Sequence, residues 1–234
     1  MTAPLPRNPM PWPVLIGVLV GFPAFFYLWS LALLHREALS IPGLGFFPGY
    51  WVATASIYAA KIWLVLYFVR RNGWSLADIG LPTARRHLTI IAVSYVALAT
   101  IAFIAIEYAA AHATFDAAKL ARLPGLYPET TEKRLALLLM AFFAGISEEI
   151  TYRGFAISGF VSRGINRWVA ILIAVFPFVF QHGLKSLDQF WWFFLNGLFL
   201  GVVYVVTKRL LPGIVIHWLI IWLALMGIFS AVAS

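Results

Sequence analysis

The stretch Leu135–Phe160, L-A-L-L-L-M-A-F-F-A-G-I-S-E-E-I-T-Y-R-G-F-A-I-S-G-F, is long and apolar enough to cross a bilayer, yet it carries Glu148, Glu149 and Arg153. A spanning helix needs about 20 mostly apolar residues. A charge at the bilayer centre costs at least ~2.5–3.5 kcal/mol on insertion scales, and such groups usually face a protein interior or a wet cavity. The stretch is therefore read as a membrane helix that turns one face toward other helices. Its carboxylates need partners, and other helices must bring them.

The rest of the chain agrees. Of 234 residues, 62% are hydrophobic and 11% charged, and mean hydropathy is +0.89. Average soluble domains carry roughly 25% charged residues. Seven segments are read as spans: Pro13–His35, Tyr50–Val69, Leu88–Ala111, Leu135–Phe160, Trp168–Gly183, Gln189–Thr207 and Gly213–Ala233. The fifth is short and ends at His182-Gly183, so it breaks or stops inside the membrane. No repeat or linker divides the chain, so residues 1–234 are read as one integral membrane domain, an all-α polytopic bundle. No small-residue cleavage site follows the first apolar run, which is read as a retained helix.

Loop charges give an orientation. With the N-terminus inside, the inner side holds ten cations: Arg7, Arg70, Arg71, Arg85, Arg86, Arg153, Arg163, Arg167, Lys208 and Arg209. The outer side holds six: Arg36, Lys119, Arg122, Lys133, Arg134 and Lys185. The bias predicts an N-inside protein. The formal charge of +8 is accordingly assigned to anionic lipid headgroups and not to nucleic acid. Lys61, inside the second span, is expected to snorkel to the inner interface. Trp74–Leu81 reads as a short interfacial piece anchored by Trp74, and Thr114–Leu123 as an amphipathic outer loop. The proline-rich start before Pro13 reads as disordered or interfacial.

Three polar sites carry the chemistry. Glu149 and Arg153 are four residues apart and meet on one helix face as an ion pair. Glu148 is rotated by about 100° and lacks that partner, which suits a general base or acid. His182, in P-F-V-F-Q-H-G, and His217, in P-G-I-V-I-H-W, are single histidines in apolar runs. A carboxylate and two imidazoles can activate water, polarise a carbonyl or hold a metal. If zinc were held, Glu148, His182 and His217 would be its ligands, and Glu148 would no longer be free as a base. There is no cysteine, no H-E-x-x-H, no glycine-rich phosphate loop and no G-x-S-x-G elbow, which disfavours thiol chemistry and serine hydrolysis.

In this order, E-E-x-x-x-R (Glu148, Glu149, Arg153), F-x-x-x-H (Phe178, His182) and a histidine in the last helix (His217) resemble the CPBP family of intramembrane proteases. That family includes type II CAAX prenyl endopeptidases and bacteriocin-processing or immunity (Abi-like) proteins. Ser75–Leu81, S-L-A-D-I-G-L, is similar to a segment upstream in that family. The resemblance covers about residues 135–221. It implies that Glu148 and His182 activate the attacking water, that Glu149 and Arg153 hold the site together, and that His217 helps stabilise the oxyanion. It also implies a metal-free, glutamate-type mechanism with no cofactor, zinc being the alternative. The partner would be a membrane-associated protein or peptide, and the setting a cell membrane, most naturally a bacterial inner membrane.

The sequence departs from the family at one position. The third motif is H-x-x-x-N, and the residue four after His217 is Ile221, which donates no hydrogen bond. Asn196 is the candidate substitute; its plainer role is a helix–helix hydrogen bond beside Gly197 and Gly201. The departure feeds a second reading, a non-catalytic member that binds a membrane peptide as an immunity or scaffold protein. A third, a proton-coupled transporter, would use the same groups as a relay. No pair of broken helices in matching halves supports it.

Overall fold

A computed structural model describes residues 8–35, 45–81, 84–112, 128 and 130–232. Every regular element among them is helical. The main helices are α1 (Trp12–Ser30), α2 (Phe46–Arg71), α3 (Arg85–His112), α4 (Thr131–Ser162), α5 (Arg167–Phe180), α6 (Lys185–Asp188), α7 (Phe190–Thr207) and α8 (Leu210–Val232). Six are long and apolar enough to cross a membrane: α1 with its 3₁₀ extension to His35, α2, α3, α4, α7 and α8. Large apolar side chains such as Trp63, Ile101, Val206 and Leu223 stand on their outer faces, as lipid contact requires. The protein is a multi-pass membrane helix bundle.

The fifth expected span, α5, has 14 residues. At 1.5 Å per residue it is about 21 Å long, short of a hydrocarbon core of about 30 Å. It stops at Phe180, and the chain turns through Gln181, His182 and Gly183 before α6. Gly183 has φ of +62°, and a Cβ there would come within 2.3 Å of Ser30 Oγ. The same hydroxyl accepts a hydrogen bond from Leu184 N at 3.1 Å. The end of α1 thus seats the turn that carries His182.

α4 winds as an α-helix to Glu148 and as a π-helix over Glu149–Ile157. It packs against α2, α5 and α8. Two glycines let α8 come close. A Cβ on Gly145 would lie 2.6 Å from the Trp218 indole, and one on Gly213 would lie 2.5 Å from Glu149 Oε2. Trp218 also donates from Nε1 to Phe142 O at 3.4 Å. This approach brings His217 onto the carboxylate pair.

Several sequence expectations change. Trp74 is not an interfacial anchor: it is buried, and its indole N–H donates to Asn8 O at 2.9 Å. The piece after it is a 3₁₀ turn, Leu76–Ile79, closed by a Ser75/Asp78 capping box and by Gly80 at φ +73°. Leu210 N donates to Gly80 O at 2.9 Å, and a Cβ on Gly154 would meet Ile79 O at 2.8 Å. Ser75–Leu81 is therefore a buttress between the π-helix and the start of α8. Arg153 is buried inside α4 and is no loop cation, which leaves nine inner cations against six. Asn8 and Met10 of the N-terminal stretch are tied down: Asn8 O accepts from Trp74, and Met10 N donates to Ser162 Oγ at 3.1 Å. Thr114–Leu123 lies outside the described residues.

Gly145→Ala should lower thermal stability in detergent by about 1–3 kcal/mol, because a two-ring indole on a packed helix has no room to retreat. Gly17→Ala, where nothing lies within 4 Å of the added Cβ, should be neutral or stabilising. Equal midpoints for both variants would remove Gly145 as the reason α4 and α8 approach.

Candidate active site

Glu148, Glu149, Arg153, His182 and His217 come together in the bundle interior. Glu149 is fully buried and doubly engaged. Arg153 Nη1 lies 3.1 Å from its Oε1, and His217 Nδ1 donates to the same oxygen at 2.9 Å. The i,i+4 pair read from sequence is thus present, within a π-turn. Arg153 is fixed from its other sides as well. Its guanidinium lies 4.1 Å from the centre of the Phe178 ring, and Nη2 donates to Gly197 O at 3.3 Å. The phenylalanine of F-x-x-x-H is thus the platform for the arginine of E-E-x-x-x-R.

Glu148 faces the other way. Its Oε1 accepts from the Tyr58 hydroxyl at 2.8 Å. Its Oε2 is buried and accepts no hydrogen bond among the described residues. The groups nearest to that oxygen are two imidazole nitrogens: Nε2 of His217 at 3.4 Å and Nε2 of His182 at 3.8 Å.

Both rings are oriented by their other nitrogen. His182 Nδ1 donates to Phe178 O at 2.8 Å and lies 3.2 Å from Val179 O, so Nε2 is the nitrogen turned to Glu148. Its ring stacks on Phe193 of α7 at 3.7 Å between centroids. His217 Nδ1 is held by Glu149, which aims its Nε2 at Glu148. An outer partner that fixes tautomer and ring orientation in this way is the usual device for a working histidine.

A cavity of about 310 Å³ has Glu148, His182 and His217 in its wall. It extends past Trp29, Trp51 and Trp192, and its lining is predominantly apolar. Trp51 precedes Tyr58 by two helical turns, about 10 Å along α2. The cavity therefore runs from the carboxylate toward the face where α1 ends and α2 begins, opposite the N-terminus. At its wall Lys185 lies 5.8 Å from the Trp51 ring centre, and burial pushes its ammonium pKa down.

Asn196 and Ile221 both line this cavity. Among the described residues Asn196 makes no helix–helix hydrogen bond: its Nδ2 donates within α7 to Trp192 O at 2.7 Å. Lys61 does not snorkel. It is 1% exposed, with Nζ 2.7 Å from Gln181 Oε1. No group of three His, Cys, Asp or Glu side chains among the described residues has the arrangement of a metal site.

Sequence reasoning missed Tyr58, Phe193 and the burial of Lys61. Tyr58 and Lys61 are three apart in α2 and share a face. Two polar groups on one face of an apolar helix were the available signal.

The whole set except Tyr58 and Lys61 falls within residues 130–223, which match the family model described as type II CAAX prenyl endopeptidase Rce1-like. No curated protein and no solved structure matches the chain. The segment bearing the site is thus similar in sequence to a family of CAAX-type membrane proteases.

Arg153→Ala should cost about 3–5 kcal/mol of stability, because it strands a buried carboxylate. The readout is folded yield and thermal midpoint in detergent. Arg153→Ala combined with Glu149→Gln should recover part of the loss. A double variant no better than the single would mean that Arg153 acts through its packing on Phe178.

Proposed function

We propose that the protein is an intramembrane endopeptidase that hydrolyses a peptide bond of a membrane-associated protein or peptide, using water activated by Glu148. The observation that carries this reading is the divided carboxylate. Oε1 is tied to Tyr58, while Oε2 is turned to two imidazole nitrogens at the end of an apolar cavity.

In this mechanism water donates one hydrogen to Glu148 Oε2 and the other toward His182 Nε2. Its oxygen attacks the scissile carbonyl while Glu148 takes the proton, which later passes to the leaving amine. Glu149 holds His217 at Nδ1 and so aims the Nε2 side of the ring at the developing oxyanion. Asn196 supplies a further donor from the cavity wall, in place of the amide that Ile221 lacks. Arg153 keeps Glu149 charged and in position. No step in this mechanism passes through a metal. The tryptophan-rich cavity suits a segment with apolar side chains. The loop charges, the compact loops and the family resemblance support a bacterial inner-membrane setting with the N-terminus inside.

A second reading has one observation behind it. Ile221 places an apolar side chain on the cavity wall one turn from His217, as a peptide-binding scaffold without catalysis would also allow.

The test is cleavage of a fluorogenic lipidated peptide by protein in detergent or vesicles. Glu148→Gln should abolish turnover in protein that still folds and can be purified. Asn196→Ala should lower it ~10–10²-fold, in line with the loss of one oxyanion donor. Ile221→Asn added to Asn196→Ala should restore much of the rate. Wild-type turnover in Glu148→Gln would refute the mechanism, and binding without cleavage in the wild type would favour the scaffold. Elemental analysis of purified active protein should find no stoichiometric zinc. One tightly held zinc per chain, with activity lost on its removal, would restore the metalloprotease alternative.

A further inference from the structure

Lys61 lies near the middle of the 26-residue α2 and is 1% exposed. Its ammonium sits in an aromatic cage. Nζ is 4.5 Å from the ring centre of Tyr152, 5.4 Å from Phe22, 5.5 Å from Phe26 and 5.8 Å from Tyr58. Its polar contact among the described residues is Gln181 Oε1 at 2.7 Å, which also accepts from the Tyr152 hydroxyl at 2.8 Å. Among the described residues no carboxylate forms a direct ion pair with it. A buried ammonium held only by a dipole and π-faces is costly, and a methionine would fill a similar volume without that cost.

Glu148 has the converse problem. The nearby guanidinium belongs to Glu149. Glu148 is left with a phenol and two imidazoles. The site therefore contains one carboxylate and one ammonium, each without a direct partner of opposite charge. Tyr58 joins them. It donates to Glu148 Oε1, and one turn further along α2 Lys61 lies against its ring. Gln181, which holds Lys61, is the residue next to His182. In a dry interior the attraction between unit charges falls only as the inverse of distance and is not screened by salt.

We propose that Lys61 is the counter-ion of Glu148, a positioning residue that keeps the carboxylate charged and turned to the two histidines without touching the reacting atoms. The cage explains why it is a lysine that does not pair directly. A direct ion pair would pull Glu148 away from the histidines, whereas a cation one layer back steadies the charge and leaves Oε2 free. The other titratable or charged groups facing Glu148 are Tyr58 from α2, Glu149, Tyr152 and Arg153 from α4, His182 after α5, and His217 from α8. α1 contributes only Phe22 and Phe26 to the cage, and α7 only the Phe193 ring against His182.

The inference concerns the carboxylate assigned as base above, so its test is read in two independent ways. The first needs no activity: a double-mutant cycle of Lys61→Met and Glu148→Gln, scored by folded yield and thermal midpoint in detergent. Lys61→Met alone should be strongly destabilised or fail to fold. The double variant should fold and stand well above it, because no unmatched charge is left. If the double variant is as damaged as the single, Lys61 only fills space and the proposal is overturned. The second reading is the pH profile of peptide cleavage. The base works only when ionised, so its rate falls as pH drops. Lys61→Met should move that acidic limb upward by about one pH unit, and Lys61→Arg should leave it nearer to wild type. A uniform loss at every pH would refute the counter-ion role in catalysis. If no peptide is cleaved by any form, the protease reading fails while the stability cycle still decides the pairing.

Discussion

Two adjacent carboxylates in a membrane helix point about 100° apart, so their surroundings differ, and His217 is the ring that reaches both, Nδ1 to Glu149 and Nε2 toward Glu148. Everything around α4 follows from that constraint. Glu149 points to α8 and is enclosed by Arg153 and His217. Glu148 points to α2 and the α5 turn, and meets Tyr58 and the two Nε2 atoms. Gly145 and Gly213 let α8 approach closely enough to touch both, and Phe178 carries the arginine on its face. The π-turn falls where these demands converge; such turns are rare and recur at functional sites. One carboxylate is consumed by structure so that the other can be left with an open oxygen.

What was legible in the sequence was what is local. The long apolar runs marked the spans, because lipid demands length and hydrophobicity of each helix by itself. The Glu149–Arg153 pair was legible because its partners lie four apart on one helix. The break near His182 was legible because Trp168–Gly183 is too short. Helix ends were less well placed: the second run, read as Tyr50–Val69, extends over Phe46–Arg71, since aromatic and arginine residues cap a span as readily as they leave it. Lys61 and Trp74 were misread for one shared reason. Rules for a lysine or tryptophan in a membrane helix assume that water or headgroup is the nearest polar surface. Here Gln181 and the backbone of Asn8 are nearer, and both arrive from distant parts of the chain. Tyr58 shares a helix face with Lys61, but its partner Glu148 lies far away in the chain, so the pairing itself was not legible.

The position of Ile221 has a similar lesson. A motif is a statement about where a donor must be in space, and the chain has more than one way to put it there. Asn196 and Ile221 line one cavity from neighbouring helices. A one-dimensional pattern reads the isoleucine as a loss, while the cavity has an amide side chain elsewhere in its lining.

The pairing of α2 with α4 also bears on how such a chain can be made. Membrane helices enter the bilayer in the order in which they are synthesised. When α4 enters, α5 and α8 do not yet exist, and neither histidine is available to its carboxylates. Arg153 enters within the same helix and accompanies Glu149. Tyr58 and Lys61 are already in place on α2, which packs against α4. The groups that tolerate the carboxylates thus precede them, and those that would use them come afterwards. A nascent chain halted after α4 would already hold its most costly segment in a matched environment, still without a complete active site.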